Sequence, residues 1–193
     1  MEREMVFTVV GQSPLLTHNP ASMQAASGQG KTKRTSSEIP TPDVEAERGL
    51  YLDDDGRMCM PGIAFRNAFI KAASAFRGPW QKKRETLKAI VSHCTIREEL
   101  VPILDAKGAP VKKYKVDMRR AMVQRNGVTR CRPRFDDWRA TFTLLWDDSI
   151  LTAADEDALR AIFAEVFNDA GKRIGVGDYR PANGGWFGRF QVE

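Results

Sequence analysis

The chain has 193 residues, with 30 Lys and Arg against 25 Asp and Glu, and 42% of it is hydrophobic. That length favours one domain carrying insertions over two small domains, and the hydrophobic share allows a real core. Three widely spaced cysteines, no CxxC pair and two histidines exclude a zinc site written in the sequence; nothing implies a cofactor, and no apolar run approaches a membrane span.

An odd cysteine count without a leading signal segment points to a reducing, cytoplasmic setting. Residues 5–10 (MVFTVV) are β-branched and apolar and predict a first strand. Residues 11–14 (GQSP) break it, and Leu15 and Leu16 follow. The stretch 21–42 is rich in Ser, Gly, Thr, Gln and Lys and has almost no large apolar residue. It cannot bury enough surface to offset its ordering entropy, which predicts a flexible loop insertion, bounded at 17–48. Lys31, Lys33 and Arg34 make that loop a second, weaker basic element; a plain connection is the alternative.

Residues 42–48 predict a helical turn, and residues 50–60 a small hairpin around an Asp-Gly turn. The three consecutive aspartates there lack the alternating ligands and distal Glu of a calcium loop. Residues 61–76 predict the strongest helix. Pro61 and Gly62 open it, and Ile63, Phe65, Phe69, Ile70, Ala73 and Phe76 form one apolar stripe, with Arg66 and Lys71 off it. A second short helix is expected over 81–91, and a strand over 94–104 that Pro102 confines to a sheet edge.

Residues 111–139 hold ten bases: Lys112, Lys113, Lys115, Arg119, Arg120, Arg125, Arg130, Arg132, Arg134 and Arg139. Against them stand Asp117, Asp136 and Asp137, so the stretch is +7 in a chain of +5. The basic character is therefore local, which makes it a functional clue. Asn126-Gly127 signals a tight hairpin turn, so the stretch predicts a two-stranded basic arm over 110–137. An isolated hairpin is marginal in water, so this arm is expected to order on a partner or a neighbouring copy. An edge hairpin kept soluble by charge is the alternative.

Residues 138–146 (WRATFTLLW) predict a strong strand with Trp138, Ala140, Phe142, Leu144 and Trp146 on one face. Thr152 is the expected cap of the next helix, whose stripe is Leu159, Ile162, Phe163, Val166 and Phe167. The tail from 171 is glycine-dense and ends in a strand predicted over 186–192. Lys172, Arg173 and Arg180 supply charge there, and Tyr179 and Trp186 supply stacking faces. The tail lacks the GxGxxG spacing and strand–helix context of a dinucleotide loop; a phosphate-cradling loop and a plain connector remain open.

Without its insertions the predicted order is β, α, β, β, α, β. This is an α+β, ferredoxin-like (RRM-like) palm carrying a basic β-hairpin thumb and a long flexible loop, all in one domain, 1–193. The residues 60–68 (MPGIAFRNA) resemble the segment that opens the first helix of RAMP-superfamily proteins. Residues 174–190 resemble their C-terminal glycine-rich loop and following strand, and residues 13–16 their N-terminal region. The style is similar to the backbone subunits of CRISPR effector complexes. That resemblance implies a non-catalytic, antiviral-defence protein that binds single-stranded RNA (or DNA) without sequence preference. It also implies a helical or filament-like homo-oligomer along the strand, other effector-complex subunits as partners, and no membrane.

Expected nucleic-acid contacts are Lys31, Lys33, Arg34, Arg66, Lys71, Lys112, Lys113, Lys115, Arg119, Arg120, Arg125, Arg130, Arg132, Arg134, Lys172, Arg173, Tyr179, Arg180 and Trp186. The basic residues would neutralise phosphates and the aromatic ones stack on bases. An alternative is a metal-independent endoribonuclease with His18 as general base, or with Asp43 of the long loop acting in cleavage. A third is a subunit mimic that binds protein instead.

Overall fold

The computed structural model describes residues 1–21, 40–77, 86–123, 126–148 and 155–193, and the backbone alone at 90, 121–123 and 126–128. Strand β1 (Glu2–Gly11) alternates: Met5, Phe7 and Val9 are buried, while Val6 is half exposed. It is longer than its apolar run. Its charged start is held by β9 (Arg139–Asp147), which pairs antiparallel with it from Glu2↔Asp147 to Val10↔Arg139. With β5 (Thr95–Ile96) and β10 (Phe190–Val192) these form one antiparallel sheet in the order β10-β1-β9-β5.

Among the described residues there are four α-helices: α1 (Pro42–Glu47), α2 (Gly62–Ala72), α3 (Leu87–Val91) and α4 (Glu156–Asp169). The chain is thus a mixed α+β protein with antiparallel sheets. Phe65, Ala68, Phe69 and Ala72 recur at helical spacing and are the buried stripe of α2; Leu159, Phe163, Val166 and Phe167 are that of α4. Both stripes lie on the same sheet face. Phe65 stacks on Phe142 at 4.8 Å between ring centroids, Phe69 on Phe167 at 4.5 Å, and Phe7 meets Phe167 at 4.9 Å. Aromatic pairs at such distances add to the free energy of burial itself.

Local details differ from the expectations in ways that have physical causes. Ile63 is 55% exposed, because the stripe begins at Phe65. Asp155 caps α4 by accepting the Asp157 N–H, one residue before the helix; Thr152 lies outside the described residues. The expected 94–104 strand is two short ones in different sheets, β5 and β6 (Leu100–Pro102). Glu98 separates them by accepting both the backbone N–H and the hydroxyl of Thr143, each at 2.9 Å. β6 is the edge of a small sheet with β3 (Tyr51–Leu52) and β4 (Met58–Pro61), which suits Pro102. The last strand starts at Phe190, because residues 181–189 remain in the glycine-rich loop.

The basic arm is a hairpin of β7 (Lys115–Val123) and β8 (Asn126–Phe135), seated by β2 (Leu15–Leu16) pairing with Phe135 and Arg134. Residues 124–125 lie outside the described residues, and Asn126 and Gly127, the expected turn, belong to the strand opposite Val123 and Met122. The register sets Asp117 opposite Arg132 and also faces like charges, Lys115 opposite Arg134 and Arg119 opposite Arg130, which Asp136, Asp117 and Glu45 neutralise.

Candidate functional site

The arm has two faces. On one, Cys131, Pro133 and Phe135 are buried, and α1 packs there with its own Ala46 buried. The other carries Lys115, Asp117, Arg119, Arg130, Arg132 and Arg134, and these bases are engaged by the chain's own acids. Lys115 and Arg134 both bond Asp136 at 2.5 Å. Arg119 holds the buried Asp117 at 2.6 Å, and Arg130 reaches Glu45 at 3.2 Å. Arg132 pairs with Asp178, and Arg139, just past the arm, with Glu193. Six bases of the stretch thus meet five carboxylates. Lys115 and Arg134 hold the Asp136 carboxyl below the usual carboxylate range.

The glycine-rich loop lies across this charged face. Arg119 sits 4.6 Å over the Phe187 ring, and Arg132 lies 5.4 Å from the Tyr179 ring centre. These are cation–π contacts that weld loop to arm. Arg132 is 6% exposed, and its Nη1 has no hydrogen-bond partner among the described residues. A buried donor left unmade costs about 1–3 kcal/mol. Tyr179 is the one described non-glycine residue with a left-handed backbone, φ 52°. Such a residue costs of order 1–3 kcal/mol unless its surroundings over-determine it.

Behind the loop lies a cleft of about 380 Å³ between α2 and the glycine backbone. His18, Tyr51, Asn67, Lys71, Asp178 and Arg180 supply its polar lining. Gly177 packs against the Leu16 carbonyl and adopts φ 77°, so a side chain is excluded there twice over. The Tyr51 hydroxyl donates to the His18 carbonyl at 3.0 Å, and Arg180 donates to the Gly177 carbonyl at 2.9 Å. Thr17 N–H donates to the Pro133 carbonyl, which carries the β2–β8 pairing one residue further and brings His18 opposite Arg132. Burial pushes the His18 imidazole below its ordinary pKa, so the ring is neutral at physiological pH; Asp178 opposes that shift and Arg132 reinforces it.

The structure sorts the expected contacts. Lys71, Arg180 and His18 come together at the cleft, with Trp186 two-thirds exposed on the adjoining loop. Arg66 turns elsewhere: its guanidinium bonds the carbonyls of Cys94 and Ser92, both at 2.7 Å, beyond the end of α3. Arg173 pairs with Asp169 one helical turn earlier. Asp43 lies on α1 near Tyr114 and does not line the cleft that holds His18. Lys112, Lys113, Arg120 and Lys172 are exposed and meet no carboxylate among the described residues. Lys31, Lys33, Arg34 and Arg125 lie outside the described residues.

Sequence reasoning missed Asp178 and Glu45, whose partners lie far away in the chain; no local spacing signals such a pair. Burial pushes the Cys59 thiol up to about 11 and that of Cys94 to about 12, and Cys131 moves the same way. All three are uncharged near neutral pH rather than nucleophiles. No helix among the described residues is long and apolar enough to cross a membrane. No protein-family model matches the chain, and no curated protein is significantly similar to it.

Proposed function

We propose that the protein binds single-stranded nucleic acid, RNA foremost, along the rim of the cleft between α2 and the glycine-rich loop. The observation that carries this reading is the composition of that rim. Lys71 and Arg180 line a groove walled by glycine backbone, next to the exposed indole of Trp186. Close backbone approach, cations for phosphates and an aromatic face for bases are what a sequence-tolerant single-strand site needs. Lys112, Lys113 and Arg120 on the arm extend the basic surface, since no described carboxylate neutralises them.

The sheet order β10-β1-β9-β5, with α2 following β1 and α4 following β9, supports reading the core as a ferredoxin-like βαββαβ palm. The open sheet face offers no exposed aromatic among its described residues; Thr8 and Thr141 bond each other at its centre, at 3.0 Å. Base stacking of the RNA-recognition-module kind is therefore assigned to the loop instead. With the arm as thumb, this is the design of a RAMP-type backbone subunit that repeats along a strand. Size and the ratio of 260 to 280 nm absorbance of the purified protein test the polymer: a high ratio at large mass is expected, and a protein partner without nucleic acid would favour the subunit-mimic alternative.

The site itself is tested by anisotropy of a labelled oligouridine with Lys71→Ala/Trp186→Ala. Among the described residues, neither side chain anchors the loop through a hydrogen bond or ion pair. A loss of at least about tenfold is expected for one phosphate and one stacking contact together; unchanged affinity in the folded variant rejects the site. A second reading has its own observation: His18 stands in the cleft with a neutral imidazole, the form a general base requires. Specific RNA cleavage that survives EDTA and vanishes in His18→Ala would establish it.

A further inference from the structure

We propose that residues 177–187 are a strap that closes over Arg132, with the Asp178 carboxylate holding the place of a strand phosphate, and that nucleic-acid binding displaces it. This rests on the reading above and adds its regulation. Arg132 is the most deeply buried of the described arm bases, and its Nε is bonded to Asp178. A guanidinium offers a fork of five donors that fits carboxylate and phosphate alike. Here Nη1 is idle, so the closed arrangement leaves unmade a bond that a phosphate, with more free oxygens, can make.

The rest of the strap is arranged for release. Tyr179 keeps its left-handed backbone only while its N–H bonds the Asp178 side chain and its carbonyl takes the Phe187 N–H at 3.1 Å. Few backbone bonds hold the strap's ends: Val176 N–H to the Gly188 carbonyl at 2.9 Å, Gly188 N–H to the Pro14 carbonyl at 2.8 Å and Asp178 N–H to the Leu16 carbonyl at 2.9 Å. Gly188, at φ 63°, has no β-carbon. The aromatic contacts holding the strap down use Arg119 and Arg132, the cations for which a polyanion competes. Asp178 is thus an internal anion that an incoming strand must displace.

The test compares oligouridine affinity of the full chain carrying Asp178→Asn with that of Asp54→Asn, an exposed carboxylate with the same charge change. Asp178→Asn is expected to bind at least about tenfold tighter than the wild type, with a salt slope steeper by about 0.7 for one added phosphate contact. Asp54→Asn should stay within about twofold, as a change in net charge alone. Adding Arg132→Gln to Asp178→Asn should cancel the gain. Equal affinity of Asp178→Asn and Asp54→Asn overturns the strap while leaving the nucleic-acid reading intact; absence of binding by every form, wild type included, overturns both. Hydrogen exchange on the wild-type protein decides the matter without any variant. Saturating oligouridine should speed exchange of the Asp178 and Phe187 N–H groups, now bonded to Leu16 and Tyr179 carbonyls; equal or slower exchange rejects displacement.

Discussion

On the charged face of the arm, bases and carboxylates of one chain satisfy each other; along the cleft, Lys71 meets no described carboxylate and Trp186 stands in solvent. The stretch that looks most like a polyanion site by charge count is thus, on that face, the one most occupied by its own acids. Charge counted along a sequence measures composition, while the field available to a ligand depends on what already lies within a few ångströms. The arm's arginines act first as fasteners: Arg130 to α1, Arg119 and Arg132 to the glycine loop. The cleft keeps its cations in reserve.

That contrast can be broken at several points. The largest effect belongs to the seat of the loop. Gly171→Ala would place a methyl group on the Phe190 carbonyl, against backbone that holds β10, and is expected to cost about 3 kcal/mol in urea unfolding. Next comes the arm. Arg134→Met removes a partner from both Asp136 and the buried Asp117 and should cost about 1–3 kcal/mol, while oligouridine affinity changes less than about threefold. A large loss of binding with unchanged stability would reverse the roles assigned to arm and cleft.

A smaller effect is one of pH. The Asp136 carboxyl is depressed in the folded state, so the stability it contributes is fully present above the ordinary aspartate value, about pH 4. It decays as pH falls below that and is gone once the folded-state carboxyl protonates. Thermal melts of Asp136→Asn should accordingly lie below wild type at neutral pH and converge with it in acid. The smallest effect is at Met118, 61% exposed on the arm, where Ala should change stability by no more than about 0.5 kcal/mol.

Much of the frame was legible in the sequence because its signals are periodic. Phe65, Phe69, Phe163 and Phe167 mark helical stripes, and Phe7, Phe142 and Leu144 mark alternating strands; all are buried in one core. The Asp53–Gly56 turn was equally plain: the Asp53 carboxylate takes the N–H groups of Asp55 and Arg57, and Gly56 has φ 74°. What the sequence hid is non-local. Glu98 interrupting a strand by bonding Thr143, and Asp178 meeting Arg132, join residues 45 or 46 positions apart, which no local pattern encodes. Asn-Gly is a strong local turn preference, yet Asn126 and Gly127 pair in the ladder, opposite Val123 and Met122.

The central claim is that the cleft and its loop, with Arg132 once Asp178 is displaced, meet the strand, and that the arm's other paired bases do not. Photocrosslinking of the wild-type protein to oligouridine containing 4-thiouridine, followed by peptide mapping, tests it most directly. Adducts are expected on peptides carrying Tyr51, Lys71 and Trp186. Adducts confined to residues 115–135, or none on a folded protein, would contradict it.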